Sequence, residues 1–105
     1  VRINIAILCA SIAAFAAALW LVRSQSTVGD ISYMQAMIPH HSIAIMTSER
    51  AHIRDPRVRA LADGIIEAQV REIAEMKRLI RDLQQRPIAE GAPDLPARPA
   101  SETDL

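Results

Sequence analysis

The stretch from Ile3 to Val22, INIAILCASIAAFAAALWLV, constrains this chain more than any other. It holds no charged side chain, and Asn4 and Ser11 are its only polar residues. A helix rises about 1.5 Å per residue, so a run of this length crosses a hydrocarbon core of about 30 Å. Arg2 and Arg23 bracket the run, and Trp20 lies near its outer end, where an amphipathic ring favours the membrane interface. A buried core helix would need protein around its whole circumference, and the rest of the chain is too short to supply it. A cleavable signal peptide would take Arg2 as its basic start and Ser24 and Ser26 as the small residues before the cut, but its apolar segment normally spans about 7–15 residues. Cys9 follows Leu8 inside the apolar run, which does not suit a lipid-modified cysteine. The expectation is a retained transmembrane signal-anchor helix over residues 1–23, in contact with membrane lipid.

Charge and cysteine content narrow the options for the chain beyond the anchor. The 12 basic and 12 acidic side chains cancel, so no basic excess points to nucleic acid. The single cysteine lies in the apolar run, so no internal disulfide staples the remainder. Residues 24–30 are polar and turn-prone and read as a juxtamembrane linker, with Thr27 or Asp30 as cap of the next helix. From Ile31 to about Ile53 the pattern is helical, with an inward stripe at Met34, Ile38, His41, Ile45, Ser48 and His52. Pro39 interrupts it, predicting a kink or the first turn of a new segment. Asp55-Pro56 is a restart signal, Asp as N-cap and Pro at the first helical position. The second helix runs to about Gln85 with a stripe of Val58, Ala62, Ile65, Gln69, Glu72, Met76, Leu79 and Leu83. Gly64 lowers its helix propensity and is a candidate for a close helix contact. After Arg86 come four of the six prolines, so residues 86–105 form an extended tail. The fold class is all-α: an anchor helix, then a two-helix antiparallel hairpin over residues 31–85. Two helices bury little apolar surface. A homodimer making a four-helix bundle, or docking on another subunit of a membrane complex, would complete the hairpin.

The residues able to carry chemistry concentrate in the first of these helices. All three histidines and three of the four methionines fall between Met34 and His52. On a helical wheel Met34, Met37, His41 and His52 share a sector of about 60°, His40 lies beside it, and Met46 points away. Thioether sulfur with imidazole is a soft donor set that suits Cu(I) and not magnesium, calcium or manganese. Methionines at helical spacing are also ordinary core filler, so pattern alone leaves metal binding and packing as equal alternatives. Met76 on the second helix is a further candidate sulfur. Gln69 and Glu72, costly to bury alone, would hydrogen-bond an imidazole across the hairpin and orient it for a metal; the alternative is a polar contact that fixes helix register. Glu49 and His52 form the only Glu-x-x-His pair, against the several that a di-iron bundle requires. No nucleophile triad, phosphate-binding glycine loop or Cys-x-x-Cys motif is present, and no catalytic activity is expected.

Over roughly residues 30 to 84, YMQAMIPHHSIAIM (Tyr33 to Met46) followed by LADGIIEAQVREIAEM (Leu61 to Met76) resembles a bacterial family of ferritin-like helical domains, domain-of-unknown-function family 305. The resemblance implies a helical bundle in an extracytoplasmic setting. Some members bind copper and contribute to copper tolerance, which implies a candidate-ligand role for Met34, Met37, His40, His41 and Met46. Longer members carry the two-helix unit twice, whereas the unit occurs here once, which again points to a homodimer or a docking partner. Arg2 and the terminal amine favour a cytoplasmic N-terminus. The resulting expectation is a single-pass protein of the bacterial inner membrane, with its C-terminal domain in the periplasm or cell exterior.

Overall fold

The computed structural model describes residues 1–25 and 28–105, and among them all regular structure is helical. Helix α1 spans Arg2–Ser24. At about 1.5 Å per residue it is roughly 35 Å long, enough to cross a bilayer core. None of its side chains is buried, and it packs on neither of the other helices. Ser11 donates its hydroxyl to the carbonyl of Ile7 at 2.8 Å, so this polar group is satisfied within the helix, as an apolar surrounding requires. Arg23 lies in the last turn, where a cation complements the helix dipole. Gln25 closes the helix in the left-handed conformation, its N–H donating to the Leu21 carbonyl.

Helix α2 spans Asp30–Arg50. Its N-cap is Gly29, and Ser32 satisfies that turn: its hydroxyl accepts from the Gly29 N–H at 2.9 Å and donates to the Gly29 carbonyl at 3.1 Å. Asp30 is thus the first helical residue and not the cap, and Ser26 and Thr27 lie outside the described residues. Pro39 sits inside α2 without dividing it. The proline costs one backbone hydrogen bond, to the carbonyl of Gln35. Both residues are exposed, so water can take that carbonyl. The helix stops at Arg50, short of the expected Ile53, which leaves His52 exposed in the connection and off the helix.

Helix α3 spans Pro56–Gln85. Asp55 caps it by accepting from the Arg57 N–H at 2.8 Å, while Pro56 takes the first position, where its missing N–H is not needed. Arg59 reaches back from α3 to donate to the Ser48 carbonyl at 2.7 Å. That carbonyl belongs to the last turn of α2, whose acceptors have no helical partner, and the cation also meets the negative end of the dipole. The tail is extended apart from a turn at residues 90–91, closed by the Ala92 N–H donating to the Ala89 carbonyl at 3.2 Å, and a 3-10 turn at Glu102–Asp104.

Among the helices of the described residues, packing joins α2 to α3 and no other pair, while Pro87 and Ile88 of the tail share a pocket with Gly29, Asp30, Ile31 and Leu83. On α2 the inward residues are Met34, Ile38, His41, Ile45 and Ser48. On α3 they are Arg59, Ala62, Ile66, Gln69, Ile73, Met76, Ile80 and Leu83. Half of the expected α3 stripe is therefore displaced by one residue, and Val58, Ile65 and Glu72 lie at the exposed edge of the seam. Gly64 is exposed, and a Cβ there would meet nothing within 4 Å, so it makes no close helix contact within the hairpin. The core is thin. Among the described residues only Met34 (6% exposed) and Ala62 (7%) are buried.

Ile73→Asp puts a carboxylate on the seam and should cost at least about 2 kcal/mol of hairpin stability, whereas Val70→Asp on the outer face should leave thermal melting nearly unchanged. Circular dichroism of the full chain in detergent reads both. The Asp55 carboxyl is held below its ordinary 3.8 by hydrogen bonds from the Arg57 side chain and then its backbone. Its contribution is therefore present above about pH 4 and lost as pH falls through the depressed value. The melting-temperature gap between the native chain and Asp55→Asn should close below that pH and stay constant at neutral pH.

Candidate metal centre

The heptad-like spacing that packs α2 on α3 also brings their sulfur and nitrogen donors together. Met34, Met37 and His41 lie on successive turns of α2, and Met76 comes from the facing turn of α3. With Tyr33, Glu72, Glu75 and Leu79 they line one open cleft of about 270 Å³. Met34 is its buried floor, Met37 and Met76 are half-buried walls, and the His41 side chain is 12% exposed.

His41 is held at both ring nitrogens. Nδ1 lies 2.9 Å from the Met37 carbonyl oxygen. A carbonyl can only accept, so Nδ1 carries the hydrogen and Nε2 is the nitrogen turned to the cleft. Across the hairpin, Glu72 Oε2 lies 2.5 Å from Nε2. A proton shared on that side makes the contact a charge-assisted bridge; without it, Nε2 presents a lone pair. Glu72 is the residue that reaches the imidazole. Its side chain is 53% exposed, so the burial expected for it is not found, because the seam runs through Ile73 instead. Gln69 is half-buried on the seam and does not line the cleft.

The other expected ligands sit elsewhere. His40 is exposed, its Nδ1–H donating to the Ala36 carbonyl at 2.8 Å. Met46 is 41% exposed on the opposite side of α2, and with α2 continuous through Pro39 no break turns it inward. His52 is removed by the early end of α2. Two cleft residues were not foreseen, Tyr33 and Glu75. Tyr33 precedes Met37 by one turn, and Glu75 follows Glu72 by three residues, so helical spacing alone could have found both.

The donor chemistry fits a soft ion. Among the described residues no three His, Cys, Asp or Glu side chains converge as a metal group. The cleft instead brings three thioethers and one imidazole, a soft set that suits Cu(I) better than hard cations, beside the carboxylates of Glu72 and Glu75 and the phenol of Tyr33. An imidazole ligand usually donates its second N–H to a carbonyl or carboxylate, which fixes its tautomer; the Met37 carbonyl fills that role for His41. Met34, Met37, Met76 and Nε2 of His41 would hold the ion. Glu72, on the solvent side, would move off Nε2 to admit it.

The comparisons with known proteins give the family and are silent on chemistry. The model of the family described as Domain of unknown function (DUF305) matches residues 30–103, and the chain belongs to that family. It is also similar to an uncharacterized protein of Acanthamoeba polyphaga mimivirus, 39% identical over 71 residues that make up 64% of this chain and 47% of that protein. The chain thus spans about half the length of the curated relative it matches. No solved structure matches it.

The His41 geometry has a spectroscopic signature. In ¹⁵N-labelled protein, Nδ1 of His41 should carry a persistent proton, and Glu72→Gln should shift the His41 Nε2 resonance while leaving His40 and His52 in place. Equal shifts at all three histidines would contradict the contact.

Proposed function

We propose that this chain is a membrane-anchored, extracytoplasmic, non-catalytic metal-binding protein that holds Cu(I) and serves copper handling or tolerance. The observation that carries the reading is that Met34, Met37, Met76 and His41 line one cleft. Thioethers bind without losing a proton, so a site built mainly from them binds soft ions over a wide pH range. The imidazole adds directional strength. Helix α1 is long and apolar enough to cross a membrane. With the N-terminus on the cytoplasmic side, it would hold the hairpin in the periplasm or at the cell exterior.

Titration of the full chain in detergent with Cu(I), under reducing conditions and against a competing chelator, tests the reading. Binding tighter than micromolar is expected. His41→Ala and Met37→Leu should each weaken it at least about tenfold, equivalent to about 1.4 kcal/mol, while His52→Ala and Met46→Leu should leave it unchanged. Affinity weaker than micromolar, or indifference to His41→Ala, would contradict it.

The thin hairpin core favours a second reading, in which the chain is a non-catalytic accessory subunit of a larger bacterial membrane complex. A stoichiometric partner protein recovered in mild detergent, together with no copper binding, would select it.

A further inference from the structure

Beside the cleft, both helices carry a second, unpartnered stripe on the same face of the hairpin. On α3 it runs through Leu61, Ile65, Ala68 and Glu72, with Leu79 two turns further on; on α2 it runs through Tyr33, Met37, His40, Ala44 and Thr47. Right-handed helices running antiparallel place these two stripes on one side, as the shared cleft lining of Tyr33, Met37, Glu72 and Leu79 attests. A second groove, lined by Tyr33, Met34, Leu79, Asp82 and Leu83, continues the same surface toward the open end of the hairpin. Leu61, Ile65 and Tyr33 are exposed on it. The opposite face carries Asp63, Lys77 and Arg81 together with the exposed Val70 and Met46.

We propose that a second copy of this chain docks on the face bearing the cleft, so that the two clefts close into one shared site. The docking stands on the apolar stripe alone; what the shared site holds rests on the copper reading. Three features select a second copy as the occupant. The cleft is open, and its lining comes from one face of a single hairpin, so a second copy laid on that face can complete it. The stripe is self-complementary: a two-fold axis along the helices lays α2 of one copy on α3 of the other. The small Ala44 of one copy then stands level with Ala68 of the other and permits close approach. That axis also leaves both α1 helices entering from the same side, as anchoring in one membrane requires. Finally, two helix faces about 30 Å long and about 20 Å wide offer on the order of 600 Å², close to the roughly 800 Å² per partner of a standard interface. Glu72 and Glu75 from both copies would face each other, and a bound cation offsets their repulsion, so the metal should tighten the pair.

The test uses the full chain in detergent or vesicles, with Cys9→Ala removing the native thiol. Ala68→Cys, on the proposed interface, should yield a covalent dimer with a short bis-maleimide at least fivefold more than Val70→Cys on the opposite face. Ile65→Glu, added to Ala68→Cys, should abolish the product while helix content by circular dichroism is retained. Equal cross-linking at both positions, a monomer by sedimentation, or cross-linking of Ala68→Cys to a different protein would overturn the proposal. Cu(I) titration separates the two claims. Copper bound at undiminished affinity by monomeric Ile65→Glu would refute the shared site and leave the copper reading standing. A specific Ala68→Cys dimer that binds no copper would leave the docking standing and remove the copper reading.

Discussion

The bridge from His41 to Glu72 is the constraint on which the rest of the hairpin's chemistry depends. One ring nitrogen of His41 is tied to its own helix through the Met37 carbonyl, and the other meets a carboxylate from the neighbouring helix. A side chain held at both ends has one orientation. That orientation turns Nε2 toward Glu72 on α3, at the cleft that Met34, Met37 and Met76 also line. The Arg59 bond to the Ser48 carbonyl anchors the closed end of the hairpin in the same manner. Between these two polar ties lies a core in which, among the described residues, only Met34 and Ala62 are buried. Register in this hairpin therefore owes much to polar contacts, since so thin an apolar seam gives weak discrimination between neighbouring alignments.

Much of the fold was legible because its signals are local. The apolar run of α1, the Asp55-Pro56 start of α3 and the proline-rich tail each act through a few adjacent residues. The seam of α3 was legible only in half, and the reason is specific. Apolar residues come in adjacent pairs at Ile65-Ile66 and Leu79-Ile80, so two stripes one residue apart fit the same periodicity. Only the facing helix selects between them, and it selects Ile66, Ile73 and Ile80. That choice moves Glu72 from an expected buried position to the rim, where it both reaches the imidazole and meets water.

The candidate site divided in the same way. Met34, Met37, His41, Glu72 and Met76 follow from helical spacing and meet in one cleft. His52 was placed by extending the wheel past the true end of α2. The Asp55-Pro56 pair needs extended backbone just before it, since a proline disfavours helical geometry in the preceding residue, and the connection begins at Ala51 accordingly. His40 and Met46, implied by the family resemblance, remain on the outside because α2 passes through Pro39 as one helix. Belonging to the DUF305 family thus fixes no donor, and the assignment of donors rests on this chain's own geometry.

Whether sulfur and imidazole from this one cleft hold Cu(I) is decided by copper-edge X-ray absorption of the Cu(I)-loaded full chain. The expected first shell contains both thioether sulfur and imidazole nitrogen, with the sulfur amplitude reduced in Met37→Leu and the imidazole scattering lost in His41→Ala. A first shell of oxygen and nitrogen alone, or one that neither substitution alters, would contradict it.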